Sequence, residues 1–493
     1  MKQLNLIPSL VILCLLLLPY IGIAQSENQT YELTLKDDQY VERTTELNDA
    51  IILTHVEASV KSTYMPSRRY IVLDTSINPQ IDSFVTLPFR NKHKAFYKTE
   101  TTLYDFFYDY RKGNYAVVSV SSDEVKVESG QLPNRVYEPQ VILNDDMLFV
   151  LDRRVNKEKV HILSRDSKVI QSTVVQSIKK RTKVYPLYFN RVGNSDHIAY
   201  IWREKSHKVD DVYVVIWDET GKELMRYSVQ LPKKHVHLIS IRQLDEDNYL
   251  LTGTYSKPSS IMASGVFVRF MEEMEEMETK MYSFSNLPHY FDYLDRYEKE
   301  EMKRKLARLK KYNKSTEVRT HAIIHDVIWT SDAFLMPIEF YTESFVDYYG
   351  INRNGNTIAG SPQSFKGFDF THALVLRLDS LGEFKHDYYV PIELEYLAQK
   401  RETQIQTCVL NDTLLLGYAS KNDLYFGSIR PVETVTMVKD TIDRSEPRTV
   451  RKEAKFVYLN KGTVVTYGFK RRRLAQGLLK KADIYFIEKR KVR

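Results

Sequence analysis

The sequence predicts an all-β fold, a β-propeller of seven or eight four-stranded blades that carries one inserted helical segment. Two observations support this prediction. At eight points in the 493-residue chain, a polar turn of Asn, Asp, Ser or Gly leads directly into a strand-like apolar run. A strand, a turn and a second strand follow most of these copies. The complete unit is about four strands long and recurs at about 50 residues, which is typical of propeller blades and not of helical repeats.

The eight copies share a polar pair or triplet, which makes a tight turn, and then β-branched, aromatic and Leu residues, which make a strand. They span residues 46–57, 110–121, 142–153, 192–203, 243–254, 328–339, 409–420 and 458–469. The strand–turn–strand element spans 70–87, 160–176, 212–229, 265–282, 373–390 and 424–438, with a half copy at 483–492. Only the second copy lacks a good partner of this kind.

The turn of the second element is clearest at residues 218–221 (Asp-Glu-Thr-Gly) and 379–382 (Asp-Ser-Leu-Gly). Asp bonds to its own backbone, and Gly adopts positive φ at the end of the turn. These turns therefore predict hairpins between the last two strands of a blade.

A four-stranded sheet of this length cannot bury both faces alone, so neighbouring sheets must stack on each other. Radial stacking closes the array and leaves only short edges exposed. Residues 31–35 have no unit of their own, and we predict that they pair with the half copy at the C-terminal end and close the ring. Two stacked sandwiches or an open β-solenoid are the alternatives.

Residues 284–318 form the predicted insertion between the fifth and sixth copies. Its segment 298–314 has no Gly or Pro, and it places Met302, Leu306 and Leu309 at i, i+4 and i+7. This pattern predicts a charged helix with one narrow apolar stripe. Because the blade pattern resumes after the insertion, we expect that the insertion does not hold the propeller together.

An aromatic cluster precedes this helix and includes Tyr290, Phe291 and Tyr293. Tyr gives a large contact area at low entropic cost, so these three residues are the candidate partner surface. The alternative is that the rings pin the insertion onto the propeller.

The N-terminal residues 1–24 are predicted to be a signal peptide, which leaves 25–493 as a single β-propeller domain. A short basic start, a run of about nine apolar residues and a small-residue exit at Ala24 are the features that signal peptidase recognises. An uncleaved anchor is the alternative, but the apolar run is shorter than the roughly 20 residues that span a bilayer. Cys14 follows the bulky Leu13, which argues against lipidation. The sequence thus predicts a periplasmic or extracellular protein with no transmembrane segment in its mature chain.

Removal of this signal leaves Cys408 as the only cysteine, so the mature chain forms no intramolecular disulfide. Cys408 lies in an apolar-leaning stretch, which favours a buried structural thiol over a nucleophile.

The net charge is +7, from 71 basic and 64 acidic residues that are interspersed along most of the chain. This balance does not indicate a nucleic-acid partner. Basic residues cluster at 470–473, 480–481 and 489–493, beside the last hairpin. They predict either a peripheral contact with an anionic membrane surface or polysaccharide, or simply a solvated loop and tail.

Two histidine pairs have spacings that are compatible with metal ligation. His235 and His237 alternate along a strand and share one face, but no Cys or acidic cluster accompanies them. His321 and His325 have the spacing of a helical pair, yet the residues between them favour a strand. No nucleophile elbow, phosphate loop, zinc-protease motif or EF-hand occurs. We therefore assign no catalytic, cofactor-binding or metal-binding residue, and we predict no cofactor.

A resemblance to a known group of proteins rests on three features. They are the Ala-Gln pair at 24–25, the blade pattern, and the stretch from residues 281–284 through the Lys-rich helix to Thr-Ser-Asp at 330–332. In these features the chain resembles a group of uncharacterised exported β-propeller-like proteins of Bacteroidota, over roughly residues 236–430. In that group the Thr-Ser-Asp strand ends in an acidic residue followed by aromatics, here Glu339 and Tyr341. Relatives have Gly where this chain has Ala333. The resemblance implies no activity.

These observations favour an exported, non-enzymatic binding or scaffolding β-propeller of the cell envelope with a protein or glycan partner. The alternative is a glycan-binding or glycan-processing propeller with its site in the central pore. The abundance of Tyr and Phe, 34 and 22 residues, fits sugar stacking and blade cores equally well.

Overall fold

A computed structural model describes residues 29–491 of the protein with gaps. The gaps are residues 36–38, 58–66, 88–91, 110, 133–135, 137–138, 144–146, 155–156, 165–168, 176–182, 194, 196, 206–209, 230, 232–233, 246–247, 259, 273–274, 347–349, 352–356, 359–363, 395–397, 399–401, 411, 421–422, 430–434, 436, 442–448, 460–462 and 474–480. The predicted signal peptide lies outside the described residues. No helix among those described is long and apolar enough to cross a bilayer.

The described chain forms eight antiparallel sheets arranged as the blades of a propeller, which confirms the predicted fold. Blades one to four contain β2 (Gln39–Glu46), β3 (Ala50–Glu57), β4 (Ser67–Asp74), β5 (Pro79–Val85); β6 (Lys92–Lys98), β7 (Leu103–Asp109), β8 (Asn114–Val120), β9 (Val125–Gln131); β10 (Gln140–Leu143), β11 (Met147–Arg154), β12 (Lys157–Ser164), β13 (Val169–Val175); and β14 (Lys183–Arg191), β15 (Ile198–Lys205), β16 (Asp210–Trp217), β17 (Glu223–Val229).

Blades five to eight continue the same pattern, with additions in blade six. They contain β18 (His235–Gln243), β19 (Tyr249–Ser256), β20 (Gly265–Glu272), β21 (Glu275–Ser283); β22 (His321–Ile324), β23 (Ile328–Trp329), β24 (Phe334–Val346), β27 (Ser364–Leu378), β28 (Phe384–Pro391); β29 (Gln406–Leu410), β30 (Thr413–Ser420), β31 (Asp423–Ile429), β32 (Val438–Thr441); and β33 (Thr449–Leu459), β34 (Thr463–Arg473), β35 (Lys481–Lys491), β1 (Gln29–Leu35). A two-stranded ribbon of β25 (Gly350–Ile351) and β26 (Thr357–Ile358) lies between β24 and β27 in the chain.

Strand β1 closes the ring as predicted, because it pairs antiparallel with β35 from Gln29 opposite Lys489 to Leu35 opposite Asp483. The last blade therefore combines three C-terminal strands with one N-terminal strand. The basic residues 470–473 belong to β34 and pair with residues 481–484 of β35. Pairing of the two ends removes an open sheet edge.

Seven of the eight turn–strand copies precede or enter the second strand of a blade, and the copy at 110–121 is the exception. It falls on β8, the third strand of blade two. The second strand, β7, follows a Thr-rich turn at residues 99–102, which lacks the Asn, Asp or Gly signal. This displacement explains why the second copy lacked a following strand–turn–strand partner in the sequence.

Apolar clusters fill the spaces between adjacent blades. Blades eight and one, for example, share a cluster of Leu33, Ile51, Ile71, Val465 and Tyr485 side chains. First strands of neighbouring blades also contact one another, as β6 does β10 and β18 does β22, so these strands line the central axis. The core of this fold is thus divided among the interfaces between blades.

The insertion consists of two parts that pack differently. A 3₁₀ turn (Phe284–Asn286) and the turns after it place Phe284, Leu287, Tyr290 and Phe291 in the core between blades five and six. The helix α1 (Arg296–Lys311) follows and has no buried residue. The first part therefore belongs to the propeller core, which corrects the expectation that the whole segment 284–318 is dispensable.

Helix α1 begins and ends two to three residues before the predicted range of 298–314. Asp295 caps its N-terminus by accepting a hydrogen bond from the Glu298 backbone N–H at 2.8 Å. Tyr312 is the C-cap residue after Lys311, and Asn313 takes a left-handed φ of 52°. The predicted apolar stripe contacts the core through Met302 and Leu306.

Candidate binding site between blades five and six

A pocket with a volume of about 380 Å³ lies between blades five and six. It is bounded by the turn after β18, which contains Asp245 and Asn248, and by the turn after β27, which contains Ser380 and Leu381. Strands within a blade are antiparallel, so both turns emerge on the same face of the ring. The insertion connects the fourth strand of blade five to the first strand of blade six, and it therefore begins on the opposite face.

Aromatic and aliphatic side chains form most of the pocket wall. Trp329 is 43% exposed, and its ring meets that of Phe334 edge-on at a centroid distance of 3.8 Å. Phe270 of blade five lies 5.5 Å from the Phe334 ring. Leu381, 63% exposed, also lines the pocket. An indole that is held by a neighbouring ring and still faces solvent provides a rigid contact surface.

The turn at residues 379–382 approaches blade five closely because its last residue has no side chain. Gly382 adopts a φ of 74°, and a Cβ there would lie 2.7 Å from Cε2 of Phe270. Lys280 Nζ donates to the Leu381 carbonyl at 2.7 Å, and the Tyr282 hydroxyl donates to the Gly382 carbonyl. Burial raises the pKa of Tyr282 to about 12, so this phenol stays a donor at neutral pH. These contacts fix one wall of the pocket.

Asp245 and Asn248, which lie between β18 and β19, form the other polar wall. Both carboxylate oxygens of Asp245 accept hydrogen bonds from Asn248, at 3.0 Å from its backbone N–H and at 2.8 Å from Nδ2. Oδ1 of Asn248 is buried and has no hydrogen-bond partner among the described residues. A buried acceptor without a donor costs about 1–3 kcal/mol, and because this oxygen has almost no accessible surface, a ligand in the pocket does not reach it.

The pocket carries one charge of each sign, from Asp245 and Lys280. Lys280 is held by the Leu381 carbonyl and by the Glu383 carboxylate at 2.6 Å. Both charges therefore support the walls. This arrangement suits binding of an uncharged ligand more than acid–base chemistry.

The predicted partner residues lie on the insertion and mostly in the core. Tyr290 is 2% exposed and Phe291 is 5% exposed, and the Tyr290 ring packs on Phe340 of β24 at 5.2 Å. Only Tyr293, 37% exposed, keeps a substantial free surface. The run of apolar rings is buried because blade six offers a complementary apolar face there.

The discussed histidines have structural partners in the folded protein. The His235 and His237 rings lie 5.1 Å apart, and His237 Nε2 is 2.7 Å from the Ser256 hydroxyl. His321 stacks on Tyr341, and His325 hydrogen-bonds to Glu339. Both partners lie on β24. Among the described residues, no three His, Cys, Asp or Glu side chains are grouped so that they could hold a metal.

Four buried carboxylates lie on the second strands of blades two, three, four and six, and sequence reasoning did not identify them as a set. Their side-chain contacts lie within a blade or reach an adjacent one: Asp105 with Arg43 and Tyr70, Asp152 near His161, Glu204 with Trp202, and Glu339 with His325. Their shared place in the blade is the sequence signal that could have revealed them. These contacts make them structural elements of the blades.

His372 lies beneath Tyr293 and is 1% exposed. Its ring stacks on Tyr293 at 4.3 Å and on Phe340 at 4.6 Å. Nδ1 is 2.9 Å from the Thr371 hydroxyl, and Nε2 is buried without a partner among the described residues. Burial lowers the pKa of His372 from 6.5 to about 3, because the site disfavours the charged imidazolium.

Acidification should destabilise the protein through His372. The folded pKa lies below the unfolded value, so the stabilisation is complete above pH 6.5 and is lost as the pH falls toward 3. We expect a loss of about 2 kcal/mol between pH 7 and pH 5 from this group. Denaturant unfolding at both values should show a smaller loss for His372→Phe. The exposed His386 provides the control, since His386→Gln should keep the full loss.

Comparisons with known proteins assign no family to this chain. No protein-family model matches the chain, and no curated protein matches it. The propeller domain of the Trilobed protease from Pyrococcus furiosus, described as having an open velcro topology, is 10% identical with a TM-score of 0.36, over 84% of this chain and 98% of that one.

Two further solved structures are similar at the same level. The dihydro-heme d1 dehydrogenase NirN is 8% identical with a TM-score of 0.41, over 92% of this chain and 80% of that one. The polysaccharide lyase Uly1 is 9% identical with a TM-score of 0.39, over 81% and 90% of the two chains. Similarity at this level transfers no activity to the present chain.

Proposed function

We propose that this protein is an exported, non-enzymatic binding propeller of the cell envelope that holds its ligand in the pocket between blades five and six. The N-terminal pattern of residues 1–24 supports export. The observation that carries the binding function is Trp329, which stays 43% exposed on the wall of a formed pocket. Concave sites with apolar walls and a few convergent polar groups are the usual form of ligand sites.

The polar groups of this pocket favour binding over turnover. Asp245 bonds within its own turn, and Lys280 holds the neighbouring turn. Neither is paired with a nucleophile or with a second carboxylate in the pocket lining, which a hydrolase would need. A glycan-processing site in the central pore is the alternative from the sequence, and no contact among the described residues favours it.

Trp329→Ala should abolish most ligand capture. An envelope extract passed over the immobilised protein should leave bound material, which is eluted, identified by mass spectrometry and rebound to each variant. We expect at least a tenfold loss of affinity for Trp329→Ala, since truncating a central aromatic anchor costs about 2 kcal/mol or more. Phe345, an exposed ring of β24, offers a matched control, and Phe345→Ala should bind normally.

The same eluted material tests the non-enzymatic part of the proposal. Its mass should stay unchanged after prolonged incubation with the protein. Conversion of the material would contradict a pure binding role. Equal capture by wild type and Trp329→Ala would show that the pocket is not the binding site.

A further inference from the structure

We propose that the ligand group held in the pocket between blades five and six is an uncharged pyranose ring of a saccharide. This inference rests on the proposed binding function and adds the chemical class of the ligand. It is carried by the juxtaposition of the exposed Trp329 ring, Leu381 and the exposed polar side chains of Asp245 and Ser380 in one cavity.

The aromatic wall suits the apolar face of a sugar. Trp202 and Trp217, the other two tryptophans, are fully buried, whereas Trp329 stays 43% exposed. Phe334 contacts Trp329 edge-on and holds its ring in place. The face of an aromatic ring is electron-rich, so it attracts the polarised C–H groups on one side of a pyranose.

Hydroxyl groups would satisfy the polar side of the pocket. The Asp245 carboxylate and the Ser380 hydroxyl are exposed on the two polar walls of the pocket. A sugar hydroxyl both donates and accepts, so it can bond to either group. A hydrocarbon chain would displace water from these groups without replacing its hydrogen bonds.

Charge in the pocket argues for a neutral ligand. The Lys280 ammonium is already bound by the Glu383 carboxylate and the Leu381 carbonyl, and the Asp245 carboxylate accepts two hydrogen bonds from Asn248. A charged ligand would gain little from either group and would lose part of its own hydration. A neutral ring is compatible with both side chains as they stand.

The size of the cavity limits the ligand. Its volume of about 380 Å³ is at the small end of the usual range for ligand sites, roughly 300–1,000 Å³. The pocket therefore fits about one or two rings, with the remainder of a longer saccharide outside it.

Tryptophan fluorescence provides a direct test, because Trp329 is the one exposed member of the three tryptophans. The probes are cellobiose, maltose, mannobiose, galactobiose and diacetylchitobiose, each titrated to 50 mM. We expect at least one of them to change the emission saturably. By calorimetry, Trp329→Ala should lose this binding and Trp329→Phe should retain it. Ser380→Ala should weaken it about threefold, the usual effect of losing one neutral hydrogen bond. Unchanged melting temperatures of the variants establish that they remain folded.

Three comparison probes separate the alternatives. Digalacturonic acid and glucosamine carry negative and positive charge, and both should bind at least fivefold more weakly than the best neutral disaccharide. N-acetyl-tryptophanamide represents a peptide side chain, and its binding is measured by calorimetry because it is itself fluorescent. Binding of this amide without any neutral disaccharide would overturn the sugar assignment but leave the pocket as a ligand site. Tighter binding of a charged sugar would also overturn it. Absence of binding by every probe, together with capture of envelope material that does not depend on Trp329, would overturn both proposals.

Discussion

Tyr290→Ala and Phe291→Ala should each lower the free energy of unfolding by about 3–5 kcal/mol, the usual cost of truncating a buried aromatic side chain. Both rings lie in the core between blades five and six. Tyr290 contacts Phe284, Phe291 and Phe340 at centroid distances of 5.6, 4.9 and 5.2 Å. Removing either ring would leave a cavity that strands of two blades cannot close.

Chemical denaturation followed by circular dichroism measures this effect. Tyr297 is the matched control, since it belongs to the same insertion but is 72% exposed on helix α1. Tyr297→Ser should change the free energy of unfolding by less than about 0.5 kcal/mol. Replacing residues 296–314 with a Gly-Ser linker should preserve cooperative unfolding, because long surface loops add little closure entropy. Equal stability of Tyr290→Ala and Tyr297→Ser would show that the insertion does not support the core.

Because Tyr290 and Phe291 are core residues, their replacement does not test partner binding by the insertion. Joint replacement of Tyr290, Phe291 and Tyr293 by Ser would disturb the fold before it reported on a partner. Tyr293→Ser alone changes the exposed ring, although it also uncovers His372. The role of Tyr293 in partner binding therefore needs the single variant and a stability measurement together.

Glu339→Ala, as a separate single variant, should lower the free energy of unfolding by about 3–5 kcal/mol. The Glu339 side chain is fully buried on β24. It accepts a hydrogen bond from His325 Nε2 at 2.6 Å and from the backbone N–H groups of Gln404 and Ile405 at 2.9–3.0 Å. These two backbone groups directly precede β29, so one carboxylate joins blade six to blade seven.

The measurement is again denaturant unfolding, now with Glu343→Ala as the control. Glu343 lies four residues further along the same strand but is exposed, so its replacement should change stability by less than about 0.5 kcal/mol. Glu339→Gln should lie between wild type and Glu339→Ala, because an amide keeps one acceptor oxygen. A neutral effect of Glu339→Ala would show that water or the backbone replaces the carboxylate.

The propeller architecture was predictable because it depends on short sequence patterns that repeat along the chain. A polar turn before a strand needs only neighbouring residues, as in the turns that end at Gly221 and Gly382 with φ of 86° and 74°. Ring closure by residues 31–35 followed from counting strands, since one blade lacked a member. Where the local signal is absent, as before β7, the pattern falls one strand later, on β8.

The candidate site was not predictable in the same way, because its residues come from separate turns of two blades. Trp217 and Trp329 both directly precede a polar turn that contains Asp, at 218–221 and 330–332. Trp217 is fully buried, whereas Trp329 is 43% exposed beside a cavity. Only the packing of the adjacent blade separates these two settings.

By itself, the sequence determined the repeated turns and strands, the helix after Asp295 and the closing strand, since each depends on hydrogen bonding and periodicity over a few residues. Tertiary structure alone decided which apolar residues are core and which form a surface. Tyr290 and Phe291 are predicted to form a partner surface but are covered by blade six, and no sequence pattern distinguishes Trp329, which borders an open pocket. Burial depends on contacts between segments distant in the chain, and a local pattern does not contain that information.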